Sequence, residues 1–156
     1  MKLDTLVVPL DGSTLAEGVL ARAAEIAISA HARMILVRAA MAHTFPGADP
    51  IEAQVSVVKE AETYLDSVAA RMRAVGVKDV RCSVWYGAAA PAIIDAAALN
   101  HADLIVMMTH GRSGLGRLVM GSVAESVVRG TTTPILLMRA DGAPIEAPAG
   151  AARVAA

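Results

Sequence analysis

Cysteine, phenylalanine and tryptophan occur once each in these 156 residues, and tyrosine twice. A lone cysteine, Cys82, excludes an internal disulfide framework and a cysteine metal cluster, the usage expected in a reducing compartment. Net charge is almost absent too. Fourteen Lys and Arg against 15 Asp and Glu leave −1, so no general field draws the chain to nucleic acid or an anionic membrane. The N-terminal "MKLDTLVVPLDGST" meets Asp4 and Asp11 too early to form a signal-peptide core or a spanning helix. His31, His43 and His101 lack metal-ligand spacing, which argues against zinc. These absences predict a cytoplasmic protein with neither nucleic acid nor membrane among its partners. What is abundant is apolar residue, 55% of a length suited to one core and one domain.

Short apolar runs alternate with longer stretches of helical period. "LVVPL" (Leu6 to Leu10), "MILVRAA" (Met34 to Ala40), "VRCSVWY" (Val80 to Tyr86), "LIVMM" (Leu104 to Met108) and "PILLM" (Pro134 to Met138) read as strands. All but the third are nearly continuously apolar, as parallel strands covered on both faces require. Between them, Thr14 and Glu17 form a T-x-x-E capping box ahead of Leu15, Val19, Ala23 and Ile26. Ile51, Val55, Val58, Leu65, Val68, Met72 and Val75 mark the longest helix, with Gly76 as its stop. Pro91 opens a third helix with Ile93, Ile94 and Ala97 on its apolar side. Ser122 and Glu125 form a second capping box before Val123 and Val127, and Gly130 ends that helix. The expected class is therefore α/β, a single-domain open doubly wound five-stranded parallel sheet with helices on both faces. Residues 1–139 form this domain, and 140–156, without periodicity or bulky apolar residues, read as a flexible tail.

In such sheets, ligands bind beyond the carboxyl ends of the strands where the strand order reverses. The first strand ends in "PLDGS" and the fourth opens into "MMTHGRSGLGRLVMGSVAES". Gly111, Gly114 and Gly116 permit close backbone approach, and Gly121 and Ser122 lead into a helix whose first amides lack partners. Loop amides, the helix dipole, Arg112 and Arg117 together suit phosphate oxygens. The P-loop pattern is absent, and the only lysines, Lys2, Lys59 and Lys78, lie elsewhere. Val119 breaks the dinucleotide fingerprint in "GLGRLV", and Leu115 breaks a nucleophile elbow at Ser113.

"VVPLDGS", "MMTHGRSGLGRLVMGSVAESVVR" and "TPILLMR" together resemble the nucleotide-binding branch of the universal stress protein family over nearly all of residues 1–139. Of the family motif G-x-x-G-x9-G-[ST], Gly111, nine intervening residues, Gly121 and Ser122 are present, and Met108 stands in place of the first glycine. The resemblance implies that Asp11 and the backbone near Ala39 recognise adenine, with Pro9 shaping the pocket. Met107 and Met108 would line the ribose side, and Gly111, Gly121, Ser122 and Val123 would hold the phosphates. It further implies a Rossmann-like sheet of strand order 3-2-1-4-5, ATP with Mg2+ or another divalent cation, a homodimer through the last strand (Pro134 to Arg139), and a sensor or regulator of stress responses with a protein partner.

Several residues carry plainer readings beside these. Asp11 either meets a base or closes an Asp-Gly turn, and Ser122 caps its helix as well as neighbouring phosphate. His110 reads as a positioning residue, Cys82 as a buried small side chain, and Met107, Met108, Met120 and Met138 as core filler. No complete set of nucleophile, metal ligands and charge stabilisers is legible, so at most slow ATP hydrolysis is expected. Two alternatives to the ATP-binding regulator remain open: a nucleotide-independent dimeric interaction module, and a slow ATPase or nucleotidyl transferase.

Overall fold

The computed structural model describes residues 2–42, 47, 49–109 and 121–139. Among them, five parallel strands, β1 (Thr5–Pro9), β2 (Arg33–Ala40), β3 (Val80–Tyr86), β4 (Leu104–Met108) and β5 (Ile135–Met138), lie in the order β3-β2-β1-β4-β5. Helices α1 (Thr14–Glu17), α2 (Leu20–Ala30), α3 (Pro50–Ala74), α4 (Ala89–Leu99) and α5 (Ser122–Gly130) connect them. The expected α/β class and strand order are both observed. Residues 110–120 and 140–156, hence Gly111, His110, Met120 and the predicted tail, lie outside the described residues.

The continuous apolar runs serve two cores at once, because successive strand residues point to opposite faces. Leu6, Val8, Met34, Leu36, Val106 and Met108 face a core completed by Leu20, Ala23, Ala27, Leu65, Val68 and Met72 of α2 and α3. Val7, Ile35, Val37, Ile105 and Met107 face the other side, against Ile93, Ala96 and Ala97 of α4 and Ala124 and Val127 of α5. Register keeps like with like: Leu6 pairs with Met34 and Leu104, and Val7 with Ile35 and Ile105. Each such side chain, once fully buried, stabilises the fold by about 1.5–3 kcal/mol relative to exposure.

Local details depart from the sequence expectations. The first predicted helix is broken at Gly18, where two tight closures end α1: Gly18 N–H donates to the Leu15 carbonyl (3.1 Å) and Val19 N–H to that of Ala16 (3.5 Å). A Cβ on Gly18 would lie 3.1 Å from the Leu15 oxygen and 3.4 Å from Met108 Cε, so the break lets α1 sit against β4. Ser13, not Thr14, is the N-cap, its Oγ accepting from Ala16 N–H at 3.1 Å. Glu17 therefore closes no capping box and is spent on tertiary contacts instead. The predicted Ser122–Glu125 box also fails: Gly121 is the N-cap of α5, and Glu125 pairs with Arg129. α4 starts at Ala89, two residues before Pro91.

Asp49 caps α3 through Oδ1, which accepts from Ile51 N–H (2.8 Å) and Glu52 N–H (3.3 Å). Of the predicted apolar stripe, Leu65, Val68 and Met72 are buried, whereas Ile51, Val55 and Val75 are exposed. The helix outruns the strands it covers: 25 residues at about 1.5 Å each exceed the eight of β2 at about 3.3 Å. Gly76 does end it, at φ +109°. Cys82 is exposed on edge strand β3 rather than buried, because no strand covers that side of the sheet among the described residues.

Candidate functional site

Strand order reverses between β1 and β4, and a cleft opens at their carboxyl ends. Its internal space is about 80 Å³, against the roughly 10–15 Å³ that one water needs on the same kind of measure, so it admits an organic group. Val37, Ile93 and Met107 line it from the α4/α5 side, and Leu10, Ala16 and Met108 from the α1/α2 side. Pro9, Asp11, Ala39, Ala89 and Val123 complete the lining, with Asp11 the one charged residue among the described residues there.

Asp11 reaches this place through local turn chemistry. One carboxylate oxygen, Oδ1, accepts from Ser13 N–H at 2.8 Å, closing a short turn over Gly12, whose φ of +86° favours glycine. Asp11 thus closes the turn and, being exposed, also stands on the lining of the cleft.

A second, open cleft shares Ala89 and Val123 with the first and runs between the first turns of α4 and α5, past Pro91, Ser122 and Ser126. Neither helix is capped by its own N-cap residue, because Ala88 and Gly121 have no side-chain acceptor to offer the first amides. Uncapped N–H groups at the positive end of a helix dipole suit an anion. Among the described residues no group of three His, Cys, Asp or Glu is placed to hold a metal ion.

The loop before α1 is backed by a polar cluster. Arg38 of β2 donates from Nη2 to Glu60 Oε1 (3.0 Å), and its Cζ stands 5.0 Å from the centroid of the Tyr64 ring. Tyr64 donates its hydroxyl to Glu17 Oε1 (2.9 Å), and Arg71 Nη2 donates to Glu17 Oε2 (2.8 Å). Burial, then the neighbouring Glu17 carboxylate, pushes the Tyr64 hydroxyl above its ordinary range, so it stays a donor at neutral pH.

Of the sequence-predicted site residues, Pro9, Asp11, Ala39, Met107, Met108 and Val123 come together on the first cleft. Ser122 lines the second, and Gly121 precedes it as the N-cap. Gly111 lies outside the described residues. Sequence reasoning missed Leu10, Ala16, Val37, Ala89 and Ile93. The period-2 rule was enough to find Val37, which shares a strand face with Ala39. Met107 and Met108 are core residues as well as lining, each at most 6% exposed.

The sequence profile described as the universal stress protein family matches residues 2–139. A universal stress protein of Methanocaldococcus jannaschii is 30% identical over 139 residues, covering 86% of this chain and 81% of its own. Among solved structures, a universal stress protein family member from Burkholderia pseudomallei is 32% identical with a TM-score of 0.73, covering 89% of this chain and 98% of its own. A universal stress protein crystallised in complex with cAMP is 27% identical with a TM-score of 0.68, at the same coverage.

Proposed function

The chain belongs to the universal stress protein family, and from that premise we propose that it is an ATP-binding regulator whose nucleotide lies at the carboxyl ends of β1 and β4. The observation that carries this reading is the cleft itself, apolar on both walls among the described residues, with the Asp11 carboxylate on one side and the Gly121 start of α5 on the other. Adenine suits those walls, with its amino group toward Asp11 and the backbone of Ala39. Phosphates suit the amides of Gly121, Ser122 and Val123, with Gly111 assigned by the motif. The cAMP complex of the 27% identical relative supports an adenine nucleotide as the class of ligand.

Mg2+ would arrive on the phosphates and their waters rather than in a protein cage, the usual way this ion accompanies nucleotides. Binding without rapid turnover is the proposed mode, with nucleotide occupancy read out by a protein partner. The homodimer is assigned to the last strand, Pro134 to Arg139. Pro134 and Met138 turn their carbonyls to β4, accepting from Ile105 and Thr109, so Ile135 and Leu137 present N–H and C=O outward on an apolar edge. The competing reading, an empty interaction module with Met108 obstructing phosphate, is not favoured: that side chain packs against Gly18 in the α2/α3 core.

Calorimetric titration of nucleotide-stripped protein with Mg·ATP tests the proposal. Saturable micromolar binding, lost in Gly121→Trp, is expected. Absence of heat at millimolar ATP refutes it.

A further inference from the structure

The segment from Pro9 to Glu17 supplies four lining residues of the first cleft, Pro9, Leu10, Asp11 and Ala16, yet only Ala16 and Leu10 are buried in it. A loop so exposed needs something to hold its shape. Gly12, at its apex, carries no side chain to do so. A Cβ placed there would stand 3.5 Å from each of Cζ, Nη1 and Nη2 of Arg38, the equal distances of a planar group lying flat against the loop. The Arg38 side chain is only 16% exposed, stacked near Tyr64 and held by Glu60. The other end of the segment is tied to the same helix, Glu17 accepting from both Tyr64 and Arg71.

We propose that Arg38 is a positioning residue: with Tyr64 and Glu17 it clamps the segment from Asp11 through α1 onto α3 and so presets the base-recognition side of the nucleotide site. The proposal rests on the adenine-nucleotide reading above for its functional consequence, though the clamp itself is a property of the free protein. The guanidinium does not touch the ligand in this scheme. It supports the backbone that carries Asp11, and Arg suits the task because its charged group is planar as well as cationic. Preorganisation of this kind raises affinity by removing the cost of ordering the loop upon binding.

The test compares wild type with Arg38→Met, which keeps an apolar stem, and with Tyr64→Phe, which removes only the hydroxyl bond to Glu17. Amide exchange is read at Ser13 and Ala16, the donors of the turn and the cap. Binding is read with Mg·ATP and with inorganic tripolyphosphate. Arg38→Met is expected to speed exchange at both amides about tenfold while Leu36 and Val106 keep wild-type rates, and Tyr64→Phe to speed it less. If the competent loop falls to about a tenth of the population, the Kd for ATP rises about tenfold. Tripolyphosphate, which meets only the α5 side, keeps its affinity. Wild-type exchange at Ser13 and Ala16 in both variants overturns the proposal, as does an equal loss of ATP and tripolyphosphate affinity. Should wild-type protein bind no ATP, the nucleotide reading fails, and the exchange comparison still decides whether Arg38 holds the loop.

Discussion

Removing the Asp103 carboxylate should loosen the junction between the two halves of the sheet. Asp103 stands just before β4, and its Oδ2 accepts from Asp4 N–H (2.8 Å) and Thr5 N–H (2.9 Å) at the start of β1. Those backbone donors, Asp4 first and Thr5 next, hold its carboxyl below the usual carboxylate range. Shielded charge-assisted bonds are worth about 1.5–3 kcal/mol each; exposure here reduces the pair to about 1–2 kcal/mol together. For a chain of this length, Asp103→Ala should lower Tm by about 3–6 °C. The folded pKa lies below the unfolded value of about 3.9, so the contribution is full above that pH and is lost as pH falls through the folded pKa. Asp103→Asn keeps an acceptor without the charge and should fall between wild type and Asp103→Ala at pH 7. Its deficit should shrink steadily in acid. Urea unfolding from pH 7 downward, at unchanged m-value, measures both effects. An Asp103→Ala cost below about 0.3 kcal/mol, or a wild-type-to-Asn gap independent of pH, refutes the reasoning, since a charged pair of bonds must cost more than that to lose.

Leu65 is fully buried between α3 and the sheet, so Leu65→Ala should cost about 3 kcal/mol and lower Tm by about 6–12 °C in a calorimetric scan. Leu137→Pro removes an outward donor from edge strand β5. With the proposed dimer through β5, it should leave a folded monomer at half the sedimentation mass of wild type, and a wild type that already sediments as a monomer contradicts that assembly. Burial, and then the neighbouring Asp66, pushes the exposed Cys82 thiol up, so its labelling rate in native protein should rise about tenfold per pH unit from pH 7 to 8. A rate already level at pH 7 contradicts that shift.

The strands were legible because parallel strands buried on both faces must be apolar almost throughout, as in Leu6 to Val8 and Ile105 to Met108, whereas their order came with the family resemblance. Helix starts were less legible. Thr14 and Glu17 have capping-box spacing, but Ser13 reaches the first turn one residue earlier, and the partners of Glu17 are 47 and 54 residues away. Periodicity placed Ile51 and Val55 correctly on one stripe of α3, yet their burial depends on how far the sheet extends beneath that helix. The site shows the same division. Gly121 could be named from local chemistry, whereas Asp11 reads locally as a turn residue and joined the site through the family resemblance. The walls from Ala89 and Ile93 could not, because only tertiary packing brings α4 over β2 and β1.

The most direct test of the account is amide chemical-shift mapping of isotope-labelled protein during titration with Mg·ATP. Saturable shifts are expected at Asp11, Ala39 and Gly121 to Val123, with the amides of edge strand β3 from Val80 to Ser83 unmoved. Absence of shifts at millimolar ATP, or shifts confined to β3 and the outer face of α3, would contradict a nucleotide site at the carboxyl ends of β1 and β4.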